Sequence, residues 1–213
     1  MTVAVIGANG GIGRLLLAQL EDTDHEAIGV VRSEDQFEAI RERGAEPRLG
    51  DLEGEFAPAL DGTDAVVFTA GAGGSTGWDK TLMVDLWGAR RTVEVCEDKG
   101  IDRYVMISAT GAADPDTGWE PLRPYLVAKR AADDYLQDSM LDETILRPTT
   151  LTDEPGTGTV TSAFEPSDGD DIPRADVAAA IVACLDDDAT IGHTIELYAG
   201  DTPVAEAVRP PSA

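Results

Sequence analysis

A tyrosine and a lysine four positions apart, Tyr125 and Lys129 in the stretch YLVAK, are the residues of this chain best suited to chemistry. Residues with this spacing share one face of a helix, so the phenol and the ammonium group can be neighbours. A positive charge nearby favours ionisation of a phenol, whose pKa is otherwise about 10. The pair is therefore a candidate for moving a proton to or from a substrate oxygen. The alternative is an exposed tyrosine beside a surface lysine.

A second candidate site is the stretch GANGGIG, in which Gly7, Gly10 and Gly13 recur every third residue. An apolar run precedes it and a leucine-rich run follows it. Glycines allow positive φ angles and let the backbone approach a ligand closely, and the following helix would point its N–H groups and its positive dipole end at an anion. A plain tight turn has the same composition, but the position at the first strand–helix junction favours phosphate binding. We predict that a dinucleotide binds here.

The spacing G-x-x-G-x-x-G resembles that of the short-chain dehydrogenase/reductase superfamily, especially its atypical members described as NAD-dependent epimerase/dehydratase-like. The resemblance extends from Thr2 to about Gly200. It implies one α/β domain over residues 1–213, a doubly wound parallel sheet (Rossmann fold) with a small substrate-side segment at about 149–175. It also implies that the glycine turn supplies cofactor contacts from Gly7, Asn9, Gly10, Gly11, Ile12 and Gly13.

The resemblance also implies which nucleotide is preferred. Arg32 ends the second predicted strand, where NAD-preferring members of the superfamily carry an acid. A cation there can pair with a 2′-phosphate, which favours NADP, with NAD possible, and Arg14 could assist. The alternative is that Arg32 pairs with Glu34 or Asp35. The other implied cofactor contacts are Asp51 and Leu52 at the adenine, Ala70 and Gly71 beneath the cofactor, and Lys129, Arg147 and Pro148 toward the nicotinamide.

In such reductases the tyrosine exchanges a proton with the substrate while a hydride moves to or from the cofactor, so Tyr125 is the implied acid/base. Lys129 would assist it and bind the nicotinamide ribose. Ser108 has the position of the serine that holds the substrate oxygen, and its alternative is a loop serine that binds backbone. Asp85 stands where many relatives carry an asparagine, which puts a water-relay role in doubt. The segment that contains Arg174 and Asp176 resembles the one that begins the late helix in the atypical members, where Asp176 would be an N-cap.

Alternating apolar runs and amphipathic stretches support this architecture. Strands are predicted over residues 2–7, 25–31, 45–51, 64–72, 102–112, 142–151 and 193–200, with a β-like run at 157–164. Helices are predicted over 11–22, 33–44, 80–100, 121–140 and 175–187, with Ser33 as a cap and Gly44 and Gly100 as ends. The tail from Thr202 is expected to be loosely structured.

Composition limits the partners. The chain has 41 acidic and 16 basic residues, a formal net charge of −25, which opposes binding of nucleic acid. No apolar segment is long enough to span a bilayer, and the start lacks the features of a signal peptide, so we expect a cytoplasmic protein that does not bind membranes. The acidic surface and the scarcity of lysine favour a halophilic source; an ordinary acidic protein is the alternative.

Metal and thiol chemistry find little support. The chain has 2 histidines and 2 cysteines, with no spacing typical of a zinc site or of a histidine-based triad. We therefore predict no metal ion, and we expect Cys96 and Cys184 to be buried free thiols.

The predicted function is an NAD(P)H-dependent oxidoreductase acting on a small carbonyl, alcohol or quinone-like molecule, as a monomer or a homodimer. Three alternatives stay open: a redox sensor that binds the cofactor without turnover, a flavin- or biliverdin-type reductase, and a sugar-nucleotide epimerase or dehydratase. The short segment between the sixth strand and the late helix offers little material to hold a sugar nucleotide.

Overall fold

The computed structural model describes residues 1–117, 120–164 and 169–211. The strands are β1 (Thr2–Ile6), β2 (Glu26–Val31), β3 (Glu46–Leu49), β4 (Ala65–Phe68), β5 (Arg103–Ile107), β6 (Asp142–Pro148), β7 (Leu151–Thr152), β8 (Thr159–Ala163), β9 (Ile172–Pro173), β10 (His193–Ala199) and β11 (Thr202–Pro203). The helices are α1 (Gly11–Leu20), α2 (Phe37–Arg41), α3 (Trp78–Lys80), α4 (Ala89–Lys99), α5 (Arg123–Gln137), α6 (Arg174–Leu185) and α7 (Val204–Ala207).

The central sheet has the strand order β11-β8-β10-β6-β5-β4-β1-β2-β3 within the described residues. All pairings from β10 to β3 are parallel; for example, Val3 of β1 is in register with Ala27 on one side and Ala65 on the other. The inner strands are continuous apolar runs because helices cover both faces of the sheet. Every residue of β4 is buried, for instance. The predicted doubly wound α/β fold is confirmed, with a central sheet that is mostly parallel.

Helices cover the two faces of the sheet. On one face α1 and α6 pack on the strands and on each other, with Leu16 and Ile181 fully buried. On the other face α4 and α5 cover the sheet through residues such as Val93 and Leu136. Burying an aliphatic side chain of this size contributes about 1.5–3 kcal/mol, so the two apolar layers are the main source of the sheet's stability.

The connections between strands create a crevice. From β1 the chain moves outward to β2 and β3, and then crosses to β4 on the opposite side of β1. The loops that follow β1 and β4 therefore diverge at the carboxyl edge of the sheet. In open parallel sheets such a reversal point is where ligands bind.

The helix predicted over residues 80–100 is not uniform. It begins as α3, continues as a π-helix over Thr81–Gly88, and becomes α-helical only in α4. Gly100 ends it in a left-handed conformation with φ of 68°, as expected.

The helix predicted from Ser33 begins instead as a 3₁₀ turn at Glu34–Gln36, and the Ser33 side chain forms no capping hydrogen bond. Strand β6 stops at Pro148, since Leu151–Thr152 pairs with Ile172–Pro173 in a separate ladder.

The C-terminal part corrects another expectation. Strand β8 runs antiparallel to β10, and β11 adds an antiparallel edge, so the sheet is mixed at this end. The tail is ordered into helix α7 as far as it is described, and Val204, Ala207 and Val208 are buried. The prediction of a loose tail was wrong because these apolar residues, three and four apart, form one buried face on α7.

Cys96 and Cys184 are buried and free, as expected, and burial raises the pKa of each thiol to about 12. None of the helices in the described ranges combines the length and the apolar composition that a membrane span requires.

Candidate functional site

The glycine turn joins β1 to α1 at the crevice. Gly7 has a φ of +86°, and a Cβ built on it would lie 2.6 Å from the backbone nitrogen of Ala70. The carbonyl of Gly7 accepts a hydrogen bond from the N–H of Gly10 at 2.8 Å. Both the left-handed backbone and the contact with Ala70 require glycine at position 7. The loop after β4 therefore lies directly against the turn.

The N-terminus of α1 is open to an anion. Gly10 precedes the helix in an extended conformation, with φ −76° and ψ 172°. Because glycine has no side chain, no side-chain hydrogen bond caps the first N–H groups of α1. A Cβ on Gly13 would lie 2.4 Å from the Gly7 carbonyl oxygen, so glycine there keeps the first helical turn close to the strand. The N–H groups of this turn and the helix dipole together suit a phosphate. Of the other predicted contacts here, Ile12 is buried and Asn9 is half-buried.

Two arginines lie near the turn. Arg14 donates from Nε to Oδ1 of Asn9 at 2.9 Å, which holds its guanidinium beside the loop. Arg32 directly follows β2, is exposed, and forms no ion pair with any described residue. The pairing with Glu34 or Asp35 that the sequence allowed is therefore not formed. Arg32 stays available for an anion at the end of β2.

The residues predicted at the adenine follow β3. Asp51 is exposed, and its Oδ1 accepts a hydrogen bond from the N–H of Glu53 at 3.0 Å. Leu52 is buried, and a Cβ on Gly88 would lie 3.1 Å from its Cδ1. A glycine in the π-helical segment thus leaves room for Leu52. The two neighbours therefore differ in exposure: Asp51 lies at the surface, and Leu52 is part of the core.

The predicted tyrosine–lysine pair lies at the carboxyl end of β5. Lys129 is only 3% exposed, and its Nζ donates to the carbonyl oxygen of Ile107, the last residue of β5, at 2.7 Å. The same nitrogen lies 6.0 Å from the centre of the Tyr125 ring. Both side chains project from α5, as their spacing predicts. A buried ammonium group is thus fixed beside a half-buried phenol.

Asp85 completes this part of the site. It is 3% exposed in the π-helical segment, and its Oδ1 lies 3.9 Å from Nζ of Lys129. Its Oδ2 accepts the backbone N–H of Ala72 at 2.9 Å. A Cβ on Gly71 would lie 3.1 Å from the carboxylate. Asp85 therefore holds the loop after β4, with Ala70 and Gly71, in place beside Lys129.

Burial and charge act in opposite directions on these groups. Desolvation raises the pKa of Tyr125, and Lys129 lowers it by a smaller amount, while Asp85 and Asp133 raise it further. Desolvation also raises the pKa of Asp85, against the lowering effects of Lys129 and of the Ala72 N–H. The phenol of Tyr125 is therefore held in its protonated form at neutral pH.

Ser108 and Arg147 meet in a buried network centred on Asp133. The Ser108 hydroxyl donates to Oδ2 of Asp133 at 2.8 Å, and Nε and Nη2 of Arg147 each lie 2.9 Å from the same oxygen. The Asp133 side chain is fully buried, and its Oδ1 has no partner among the described residues. Desolvation raises the pKa of Asp133, while Arg147, the Ser108 hydrogen bond and Lys129 lower it. Two predicted site residues, Ser108 and Arg147, are thus hydrogen-bonded to the carboxylate of Asp133.

Pro148, the last predicted cofactor contact, ends β6. Its carbonyl oxygen accepts the N–H of Thr110 at 3.0 Å, just as the Leu146 carbonyl accepts the N–H of Ser108 at 2.8 Å. These bonds hold the loop after β5 against the end of β6. The predicted residues at the nicotinamide end, Ser108, Arg147 and Pro148, therefore share one edge of the sheet.

Comparison with known proteins decides the family. A family model described as NAD(P)H-binding matches residues 7–188, from the first glycine of the turn to beyond α6. The chain belongs to the NAD(P)H-binding family. The family's Rossmann fold and the resemblance to atypical, epimerase/dehydratase-like short-chain dehydrogenases/reductases are thereby confirmed.

Similar proteins of this NAD(P)H-binding family cover almost the whole chain. One is the uncharacterized sugar epimerase YhfK of Bacillus subtilis, 46% identical, with 98% of this chain and 99% of YhfK aligned. A solved structure, a putative NAD-dependent epimerase/dehydratase from Bacillus halodurans, is 47% identical, with a TM-score of 0.95 and 98% of each chain covered. The structure of the oxidoreductase YlbE from Lactococcus lactis is 29% identical, with a TM-score of 0.87 and coverage of 98% and 95%.

The geometry fits the family's dinucleotide. Glycine at positions 7 and 13 lets the turn pack closely against the loop after β4 and against the start of α1, and the uncapped start of α1 suits a pyrophosphate. Sequence reasoning missed Asp133, although it follows Lys129 by four residues on the same helix face. It also mistook Asp176 for an N-cap. Pro173 precedes α6 instead, and the buried Asp176 carboxylate accepts the N–H groups of Thr157 and Gly158 at 2.9 and 2.8 Å.

Proposed function

We propose that this chain is an oxidoreductase that prefers NADP(H) and acts on a small carbonyl, alcohol or quinone-like substrate, with Tyr125 as the acid/base. The observation that carries the proposal is the buried Lys129, fixed by the Ile107 carbonyl beside the Tyr125 ring. Burying an ammonium group costs free energy that a purely structural helix would avoid. A lysine held there at the carboxyl edge of β5 is well placed to act on a phenol and on a bound nucleotide.

The nicotinamide, when bound, supplies or accepts a hydride. The chain's own residues handle the proton. In the reducing direction the phenol of Tyr125 donates its proton to the substrate oxygen, and Lys129 stabilises the phenolate that remains. The raised pKa of Tyr125 keeps this proton in place at neutral pH, which suits a general acid. A protonated phenol at neutral pH is the form that reduction of a carbonyl requires.

Preference for NADP rests on Arg32. Its guanidinium is exposed at the end of β2 and forms no ion pair within the described residues. A free guanidinium can bind a 2′-phosphate through two charge-assisted hydrogen bonds. In a chain with a net charge of −25, an unpaired cation near the crevice offsets a field that otherwise opposes anions.

A small and partly apolar substrate is favoured by the surroundings of Tyr125. Leu122, in the segment that follows β5, is an apolar side chain with 42% exposure. Leu122 precedes Tyr125 by one helical turn. Only residues 149–173 separate β6 from α6, which leaves little chain to enclose a large polar substrate.

A second candidate is an epimerase, which the descriptions of the relatives from B. subtilis and B. halodurans favour. An epimerase would use the same tyrosine as a base while the nicotinamide accepts a hydride from the substrate, and then as an acid while the nicotinamide returns the hydride to it. It would therefore regenerate its cofactor in every turnover, whereas an oxidoreductase consumes NADPH in proportion to product. This difference is measurable directly.

The experiment begins with titration of the purified protein with NADPH and NADH, followed by a screen of aldehydes, ketones and quinones by NADPH absorbance. We expect NADPH to bind and at least one quinone or carbonyl to be reduced. Tyr125→Phe should bind NADPH as the wild type does and should lose about 10²–10⁴-fold in kcat. Val127→Ala, an exposed change on the same helix, is the control.

Each other outcome favours a different function. Binding without turnover on any substrate supports a redox sensor. Turnover that survives in Tyr125→Phe supports a flavin- or biliverdin-type reductase, which needs the hydride but not the phenol. Sugar-nucleotide conversion without loss of NADPH supports the epimerase. Failure to bind either nucleotide would refute the proposal as a whole.

A further inference from the structure

The side chain of Arg174 lies across the glycine turn. A Cβ built on Gly11, the first residue of α1, would lie 2.9 Å from Cδ and 3.0 Å from Nε of Arg174. Arg174 itself begins α6, which packs along α1. Gly11 thus leaves room for an arginine stem that brings a guanidinium to the anion-binding end of α1.

The guanidinium is only partly engaged by the protein. Nη1 of Arg174 lies 2.7 Å from Oδ1 of Asp153 and 3.5 Å from the Leu151 carbonyl oxygen. Its Nε and Nη2 donate to no group in the part of the chain that the structure describes. The Arg174 side chain is 27% exposed and that of Asp153 is 91% exposed. The ion pair therefore holds the arginine from its solvent side and leaves two donors free.

The position of this pair is set by the small β7–β9 ladder. Leu151 is in register with Ile172 and Thr152 with Pro173, so Asp153 and Arg174 are the residues that directly follow the two strands. The ladder brings the substrate-side segment to the start of α6. Backbone pairing of the residues just before them therefore brings Asp153 and Arg174 close together.

We propose that Arg174 is a cofactor-binding residue that contacts the pyrophosphate at the start of α1, with Asp153 as the carboxylate that competes for it. An exposed carboxylate is a weak partner, whereas a pyrophosphate presents several charged oxygens to the fork of a guanidinium. The pyrophosphate would bind the free Nε and Nη2 donors, while Asp153 on Nη1 opposes it through its negative charge, which links the 151–153 segment to cofactor occupancy. The proposal rests on the dinucleotide site of the proposed function, and it is independent of the chemistry at Tyr125.

The test compares nucleotide fragments. ADP-ribose contains the pyrophosphate, and 2′-AMP lacks it; both are titrated by calorimetry at low salt beside NADPH. We expect Arg174→Ala to weaken ADP-ribose and NADPH binding about tenfold, since the variant loses a hydrogen bond between charged groups that partial exposure weakens. Binding of 2′-AMP should stay unchanged. Arg174→Gln, which keeps the stem over Gly11, should give the same result if Arg174→Ala folds poorly.

Asp153→Asn should tighten ADP-ribose binding two- to fivefold, and this gain should vanish in the Arg174→Gln background because the two residues act through one contact. The matched control is the ion pair of Arg209 with Asp187, at 2.7 Å. Arg209→Ala and Asp187→Asn make the same charge changes on a pair remote from the glycine turn. They should shift ADP-ribose binding by less than twofold.

The outcomes separate the two proposals. If wild-type protein binds neither NADPH nor ADP-ribose, the dinucleotide site and the role of Arg174 fail together. If it binds both and Arg174→Ala binds ADP-ribose equally well, only the role of Arg174 is overturned. If Arg174→Ala weakens 2′-AMP as much as ADP-ribose, Arg174 acts through the general field and not on the pyrophosphate, which also overturns the inference.

Discussion

The hydroxyl of Ser108 donates its single hydrogen to Oδ2 of Asp133 at 2.8 Å, inside a network that also contains Arg147. While this bond is formed, Ser108 can only accept hydrogen bonds from the substrate side. This differs from the role that the family resemblance implies, in which the serine donates to the substrate oxygen. Under the proposed function, Tyr125 then supplies the hydroxyl hydrogen bond to a carbonyl oxygen.

We therefore expect Ser108→Ala to lower kcat by less than tenfold, whereas loss of a donor to the reacting oxygen would cost about 10²–10³-fold. Its main effect should be on stability. Removing a partner from the buried Asp133 costs about 1–3 kcal/mol, and a chain of this length loses about 2–4 °C in Tm for each kcal/mol. Thermal unfolding and steady-state kinetics on the same preparation check both values. A 100-fold fall in kcat without a change in Tm would restore the donor role.

The pH dependence of reduction follows from the raised pKa of Tyr125. A group that must donate a proton is active below its pKa and inactive above it. Since burial moves that pKa above the ordinary value of about 10, the rate of reduction should be flat from about pH 6 to 9 and should fall only in more alkaline solution. The measurement is kcat/KM for reduction over this range. A rate that rises through neutral pH would mean that the ionised phenol is the active form.

Arg32 should decide between the two nucleotides. Arg32→Ala removes the guanidinium proposed to bind the 2′-phosphate and should weaken NADPH about 10–100-fold while changing NADH less than twofold. Arg41→Ala, which removes another exposed arginine, paired only at 3.9 Å with Glu38, is the control for net charge. Both are measured by fluorescence titration at low salt. Equal losses for NADPH and NADH would contradict the proposed preference.

Much of the fold could be predicted because its signals are local. Apolar runs such as that of β4 are buried on both faces, and the glycine spacing lies between a strand and a helix, so parallel order and the crevice follow. The i, i+4 spacing of Tyr125 and Lys129 correctly placed both on one helix. These predictions use the spacing of apolar residues and the turn-forming glycines, which act on neighbours only a few positions away in the chain.

The rest depends on contacts between distant segments. The π-helix at Thr81–Gly88 turns Asp85 toward Lys129 and Ala72, and no residue type in that stretch specifies the wider turn. The bond from Ser108 to Asp133 arises only when α5 packs on the end of β5. The same holds for Arg174, whose approach to Gly11 requires α6 to lie along α1. The pattern of residue types along the chain does not predict these contacts between distant segments.

Asp85 provides a test of the buried pair. Desolvation raises its pKa in the folded protein above the unfolded value near 3.9, despite the attraction of Lys129. At a pH between the unfolded and the folded pKa of Asp85, the folded state binds more protons than the unfolded state. The free energy of unfolding therefore falls as pH rises through this range. Asparagine does not titrate. The difference in Tm between Asp85→Asn and wild type should therefore become more positive from pH 4 to pH 7.

The direction of this change follows from the raised pKa of Asp85, whose main cause is desolvation. Asp79→Asn, an exposed change just before the π-helix, corrects for the charge of the acidic surface. Its difference in Tm from wild type should vary less with pH. A difference for Asp85→Asn that becomes more negative toward pH 7 would show that attraction to Lys129 outweighs desolvation, and Asp85 would then be a net stabilising partner of the buried lysine.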